Sequence, residues 1–346
     1  MSVPGLAERL GVGTVLVKDE SERIGLPAFK MLGASWASYR SIVEHTGIDD
    51  QGWETLEEFA QRIEPHLPLT LATATDGNHG RAVARIAQLL GLGARIWVPA
   101  GTVAPRIEAI ESEGATVTVV DGTYDDAVAE AAKAADASTL VISDTSWPGY
   151  EAVPQWVIDG YSTMMLEVQD QTARLGLPEP TVIAAPMGVG ALGAAIIGHF
   201  AHRTPRPVVV GGEPTEAACI MAALEAGEVV TVPGPHETIM AGLSCGTASP
   251  LAMPMIVAGL SATVAFGDDW AEEAMRLLAA EGIVSGETGA SAFATLLAVV
   301  DSNPDFRDAL NLGPDDVALV IVTEGATDPA NYRDVVGIDA REVRGR

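Results

Sequence analysis

Lysine is the residue this sequence has least of among its charged types. There are three in 346 residues, Lys18, Lys30 and Lys133, against seventeen arginines, so surface solubility does not rest on lysine. Basic residues of both kinds number 20 against 47 acidic ones, a net charge of −27. Phosphate backbones are held by clustered Lys and Arg, and that shortage excludes a nucleic-acid partner. Cysteine is nearly missing: Cys219 and Cys245 are too few for a disulfide framework and neither sits in a CxxC pair, which points to reduced thiols. No run reaches about 18 uninterrupted apolar residues, so no membrane span or membrane partner is expected. The opening MSVPGLAERLGVG lacks a basic stretch followed by an apolar core, the pattern of an export signal. A soluble cytoplasmic protein is the expectation. Aromatics make up 5% of the chain, leaving a core of Ala, Val, Leu and Gly.

What is present is a regular alternation of strand and helix signals. Thr14 to Val17 is patterned as a strand and Phe29 to Glu44 as a helix. Residues 49–68 form an acidic helical segment closed by Pro65 and Pro68, with the character of an insertion. Strands are expected at 70–74, 94–98, 116–120 and 139–142, with helices at 78–90, 105–113 and 124–135 between them; Gly91, Gly93 and Gly114 punctuate the helix ends. A long helical region at 154–174 follows, then strands at 181–185, 208–211 and 317–322 and helices at 216–226, 269–281 and 289–301. Such βα repetition predicts an α/β protein of two interleaved three-layer α/β/α domains with mainly parallel sheets and a cleft between them. The expected division is 1–40 plus 155–346 for the large domain and 41–154 for the small one.

Lys30 stands among Pro27, Ala28, Phe29, Met31 and Leu32, a poor place for a solvated charge. Desolvation lowers an amine's pKa and makes it a nucleophile able to form a Schiff base. The plainer alternative is a lysine near a helix start whose stem covers apolar neighbours. Three glycine-bearing loops follow expected strands. TATDGNHG (73–80) opens a helix whose exposed N–H groups favour an anion such as a carboxylate; Asp76 or Asn78 as a simple N-cap is the alternative. GVGALG (188–193) matches G-x-G-x-x-G with Glu213 twenty residues beyond, so a dinucleotide and a smaller phosphate both remain open. VTEGATDP (322–329) offers the Thr323 hydroxyl to a ring nitrogen, or is merely a polar turn.

Taken together, KDES...GLPAFKMLGAS (18–35), TATDGNHGRAVA (73–84), SDTSWPGYE (143–151), GVGALGAA (188–195), TIMAGLSCG (238–246), SGETGAS (285–291) and TEGATDP (323–329) resemble the fold-type II pyridoxal-phosphate enzymes. Within that group the pattern favours the diaminopropionate ammonia-lyases, because Asp76 precedes G-N-H-G where serine and threonine dehydratases carry serine or alanine, and because of the acidic insertion. The resemblance implies that Lys30 holds pyridoxal 5′-phosphate as an internal aldimine, that Asn78 meets the ring hydroxyl, that Gly188, Val189, Gly190, Ala191 and Leu192 bind the phosphate, and that Thr323 faces the pyridine nitrogen. It implies substrate contacts from Thr75, Asp76, Gly77, His79 and Asp144, with Lys30, Asp76 and Asp144 catalytic and no metal. The implied reaction is elimination of ammonia from 2,3-diaminopropionate through an aminoacrylate, giving pyruvate and ammonia. A dehydratase or β-replacement enzyme acting on serine, threonine or another β-substituted amino acid is the first alternative; a nucleotide- or cofactor-binding protein without turnover is the second. A homodimer acting on a small amino-acid substrate is what the family implies. The chain departs from the family in starting almost at Leu6 to Val17, without a Thr-Pro-Leu leader, and in carrying Ala34 where a second glycine is common; a changed dimer contact or substrate is the expected consequence.

Overall fold

The computed structural model of the chain describes residues 1–302 and 304–344. It divides into two compact units, Lys30–Gly160, and Met1–Phe29 together with the chain from Tyr161 onward. The divisions fall at 29/30 and 160/161, where 40/41 and 154/155 were expected. Residues 31–40 go with the smaller unit because the helix Lys30–Thr46 packs along the helix Asn78–Leu89. At the other division, Gly160 brings its backbone so near that a Cβ would sit 2.4 Å from the Leu32 carbonyl oxygen.

In chain order the first strand, β1 (Thr14–Asp19), belongs to the larger unit, and β2 (Thr70–Ala74), β3 (Gly93–Pro99), β4 (Thr116–Val120) and β5 (Thr139–Val141) belong to the smaller one. These four run parallel in the order β4-β3-β2-β5. Leu71, Ala72, Ile96 and Val98 are buried in the middle of this sheet, the apolar signature of strands covered on both faces. The helix Tyr124–Ala132 opens on a capping box: Thr123 accepts from the Asp126 N–H while the Asp126 carboxylate accepts from the Thr123 N–H. That fixes Tyr124 as the first helical residue. In the acidic segment a helix spans Leu56–Ile63, capped by the Thr55 hydroxyl at the Glu58 N–H, and a 3₁₀ turn follows at Glu64–His66. Tyr39 from the helix Lys30–Thr46 meets both Trp53 and Phe59, with ring centroids 5.8 and 5.2 Å apart, so the segment is docked by aromatic contacts.

The larger unit adds β6 (Val182–Pro186), β7 (Val208–Pro214), β8 (Ala262–Phe266) and β9 (Val317–Val322), giving a parallel sheet in the order β1-β9-β6-β7-β8. Pairing of β1 with β9 joins residues some 300 positions apart and sets Asp19 beside Val322 at the carboxyl ends. Every residue of β6 and of β9 is buried, which requires cover on both faces of the sheet. Part of that cover is the helix Glu287–Ser302, buried at each position from Glu287 to Val299.

The fold class is thus the expected one, α/β with parallel sheets. Three details differ. The strand β8 was not expected, the helix expected at 216–226 is a 3₁₀ turn at Thr215–Ala217 followed by a helix at Cys219–Ala226, and short helices at Pro4–Leu10, Met253–Gly259, Pro304–Ala309, Pro329–Val336 and Ala340–Arg344 carried no sequence signal. Elements of five to eight residues are too short for a 3.6-residue period to declare itself.

Candidate active site

In the smaller unit the candidate residues gather at the carboxyl ends of β2 and β5 and at the start of the Lys30 helix. Lys30 is the first helical residue, with 17% of its side chain exposed, and its Nζ lies 2.7 Å from Asp144 Oδ2. Asp144 follows β5 and is buried, and its other oxygen, Oδ1, accepts from the Tyr124 hydroxyl at 2.9 Å. Burial by itself pushes the Asp144 carboxyl up, but the Lys30 charge and the two donated hydrogen bonds overcome this and hold it well below the usual carboxylate range. Asp144 lies in a bend, but its carboxylate does not make the turn: Ser143 Oγ accepts from the Thr145 N–H, while the Asp144 oxygens are taken by Lys30 and Tyr124. The Ser143 amide in turn donates to the Tyr150 hydroxyl, which donates to the Val141 carbonyl, fixing the segment from both sides.

The β2 loop is organised by Thr75. Its Oγ1 accepts from the N–H groups of Gly77 at 2.9 Å and Gly80 at 3.0 Å, and a Cβ on Gly80 would sit 2.4 Å from Thr75 Cγ2, so that approach needs glycine. Gly77 is the N-cap of the helix Asn78–Leu89 and no Gly77 side chain exists to cap it; Thr75 supplies the oxygen that capping readings of Asp76 and Asn78 would have required. The side chains of Asp76 and Asn78 are both half-buried on this loop. His79 is 1% exposed, its Nε2 lies 2.7 Å from the Ile142 carbonyl, and Nδ1 is buried without a hydrogen-bond partner among the described residues. Burial lowers its pKa, so the ring is neutral. A neutral ring whose Nε2–H is committed to a carbonyl keeps Nδ1 as an acceptor.

In the larger unit the glycine loop follows β6 directly. Gly190 adopts φ +97° as the N-cap of the helix Ala191–Phe200, and a Cβ there would meet Ile256 Cδ1 at 2.6 Å. No side chain caps this helix and no acidic residue stands in its first turn. Its first N–H groups and dipole are thus a cradle for an anion the size of a phosphate. Glu213, the residue a dinucleotide's ribose would require, is engaged elsewhere: its carboxylate accepts from the N–H groups of Ile220 at 2.7 Å and Met221 at 2.9 Å and from the Thr263 hydroxyl at 3.0 Å. It is fully buried, and burial pushes its pKa up to about 7. The geometry removes the dinucleotide reading and leaves a single phosphate.

Thr323 follows β9, next to β6 in the sheet, so the two loops lie at neighbouring strand ends. Its hydroxyl makes one long contact, 3.4 Å to the Thr288 carbonyl, and its own carbonyl accepts from the Phe29 N–H at 3.1 Å. Gly325 N–H donates to the Pro27 carbonyl. The residues immediately before Lys30 are therefore pinned to the loop carrying Thr323. The start of that segment is held by Arg23, which bonds Glu20 and Glu167, while Lys18 bonds Glu167 at 2.7 Å.

The structure brings Lys30, Asp144 and the Thr75 to His79 loop into one unit and Gly188 to Leu192 and Thr323 into the other. In the larger unit the uncapped anion cradle and the buried Thr323 hydroxyl at the neighbouring strand end fit a group with one phosphate and a ring nitrogen; in the smaller unit the half-buried Lys30 amine fits an aldehyde. Sequence reasoning missed Tyr124; a tyrosine after a capping threonine reads as an ordinary helix start, and no motif marks its contact with a residue twenty positions on.

A family model described as pyridoxal-phosphate dependent enzyme matches residues 1–324. The chain is 37% identical over 345 residues to the diaminopropionate ammonia-lyase of Escherichia coli (strain K12), covering 96% of this chain and 85% of that protein. The crystal structure of the Escherichia coli diaminopropionate ammonia lyase in complex with an aminoacrylate-PLP azomethine reaction intermediate is similar with a TM-score of 0.86 at 36% identity, covering 97% of this chain and 86% of that one. The L-threonine dehydratase of Mycobacterium leprae is more distant, 27% identical over 285 residues, with 80% of this chain and 61% of that protein covered.

Proposed function

The chain belongs to the pyridoxal-phosphate-dependent enzymes, and from that premise we propose that it eliminates ammonia from 2,3-diaminopropionate. One ammonia leaves Cβ and, with one water taken up, the second leaves Cα, so that pyruvate and two ammonia are formed. The observation that carries this is the buried Asp144 carboxylate 2.7 Å from the Lys30 amine, supported by the similarity to diaminopropionate ammonia-lyase over nearly the whole chain.

Pyridoxal phosphate supplies the electron sink for the pair released when the Cα–H bond breaks. In this reading Lys30 holds the cofactor covalently, Gly188 to Leu192 take the phosphate, Asn78 meets the ring hydroxyl and Thr323 the ring nitrogen. Asp144, ionised and buried, accepts a proton at Oδ2, the oxygen facing Lys30; Lys30 Nζ passes protons at the same place. Asp76, on the neighbouring loop, holds a substrate ammonium by a charge-assisted hydrogen bond. Two carboxylates suit a substrate with two ammonium groups, and each can serve one face of Cα. Substrate carboxylate binding falls to the N–H groups of the Thr75 to His79 loop.

The test is the absorption spectrum of the purified holoenzyme from about 300 to 550 nm. A band near 410–420 nm that borohydride removes, and that D,L-2,3-diaminopropionate perturbs as pyruvate accumulates, is the expected result. Perturbation by L-serine or L-threonine alone would move the substrate to the dehydratase class. Lys30→Ala should lose the band and turnover while keeping the circular dichroism of the parent; full ammonia release by that variant overturns the assignment. A cytoplasmic homodimer completes the reading. Both cysteines are buried as thiols, in keeping with a reducing compartment, and light scattering on the eluted protein reads the dimer.

A further inference from the structure

We propose that Tyr124 is a positioning residue for this reaction: its hydroxyl fixes the Asp144 carboxylate through Oδ1, so that Oδ2 is aimed at the Lys30 amine and kept as the proton-accepting oxygen. The inference rests on the role given to Asp144 above. Each Asp144 oxygen has one donor, Tyr124 at 2.9 Å on Oδ1 and Lys30 at 2.7 Å on Oδ2. When the Lys30 nitrogen is committed to the cofactor or gives up its proton, Tyr124 is the donor that stays. A carboxylate with one oxygen tied resists turning about its terminal bond, and the oxygen released by Lys30, Oδ2, is the one left with no donor.

The tyrosine is built to hold still. It is 7% exposed and is the first residue of a helix whose start is locked by the reciprocal Thr123 and Asp126 bonds. The carboxylate is held from its own side as well, because the preceding Ser143 amide is bonded to Tyr150. The titratable groups facing Asp144 are Lys30 from its helix, His79 from the helix Asn78–Leu89, Tyr124 from its helix, and Tyr150 from the following loop. His79 is neutral through burial, and burial pushes the Tyr150 hydroxyl up, so neither changes charge near neutral pH. Of the donors that favour the ionised carboxylate, Tyr124 is the one that substrate does not displace.

Tyr124→Phe removes one oxygen and keeps the ring. The holoenzyme variant should keep its cofactor band, its circular dichroism and a KM within about threefold of the parent, while kcat falls roughly 10- to 100-fold, the range for a hydrogen bond to a charged group. Loss of the donor makes Asp144 easier to protonate, so the acid limb of the kcat/KM profile should move to higher pH. In the Asp144→Asn background the same change should cost nothing further. Parent-like kcat and an unmoved acid limb, with Asp144→Asn inactive, overturn the proposal alone; an active Asp144→Asn instead overturns the role of Asp144. Loss of the cofactor band or of circular dichroism in both Tyr124→Phe and Tyr124→Leu makes Tyr124 a structural residue and also overturns it.

Discussion

In the proposed reaction, Asp76 is the residue on which the choice between releasing ammonia and releasing water turns. Its backbone is set by its neighbours: Thr75 N–H donates to the Trp97 carbonyl, and Thr75 Oγ1 gathers the amides of Gly77 and Gly80. The Asp76 side chain is half-buried on the loop, its Oδ1 3.5 Å from Thr75 Oγ1. A β-ammonium is held by a carboxylate far better than by an amide, whereas a β-hydroxyl is served by either. Asp76→Asn should therefore keep the cofactor and lose at least about tenfold in kcat/KM with diaminopropionate, a barrier change above about 1.4 kcal/mol, measured by pyruvate release. Rates within about threefold of the parent would return the preference to the dehydratases. This residue was legible in the sequence because it departs from a short motif at a fixed offset. Tyr124 was not, since its importance lies in a contact across the fold, and His79 was visible as a motif member while its unpartnered, acceptor-only Nδ1 was not.

At the scale of elements, the proposed site for the cofactor's phosphate depends on how one helix begins. Gly190 holds φ +97° and has Ile256 and Ile220 close on the side a Cβ would occupy. Gly190→Val would put a branched side chain into a left-handed conformation and into those two isoleucines, and the helix Ala191–Phe200 could then begin correctly only by displacing them. Strain of about 1–3 kcal/mol at this N-terminus should appear as cofactor affinity weakened roughly 5- to 150-fold, read by absorbance titration of the apoenzyme with pyridoxal phosphate. Unchanged affinity would mean the phosphate sits elsewhere. The βα alternation in 70–142 was legible because parallel strands are apolar runs bounded by glycine and caps. The edge strand β8 was not, because Ala262 to Val264 and Ala265 are only half-buried and its identity comes from pairing with β7. The split near residue 218 was also hidden: the helix Cys219–Ala226 starts late because the Glu213 carboxylate, from the end of β7, takes its first amides.

Stability of the molecule against pH follows from carboxylates of two opposite kinds. Glu167 is lowered to about 2 by bonds from Arg23 and Lys18, Asp144 is held low by Lys30 against the effect of burial, and Glu113 is lowered by Arg85 and Arg81 against its burial. Groups with depressed folded pKa values contribute stability that is present above their unfolded values and lost as pH falls. Glu213 is the reverse. Its pKa rises from 4.5 to about 7 on folding through burial, so its contribution is whole below 4.5 and declines as pH rises toward 7, where the folded state must also ionise it. The net charge of −27 acts in the same direction, because each further ionisation adds to self-repulsion. The cofactor-free protein should therefore have its highest melting temperature on the acid side of neutrality, about pH 5 to 6. Glu213→Gln removes the titration but replaces one accepting oxygen with a donor facing a backbone N–H. The variant should be less stable than the parent at pH 5, with the gap narrowing steadily toward pH 7.5. Thermal unfolding of both proteins across that range is the measurement, at fixed salt so that screening of the surface charge stays constant. A gap independent of pH would mean that Glu213 titrates at its ordinary value and is not desolvated in the folded chain.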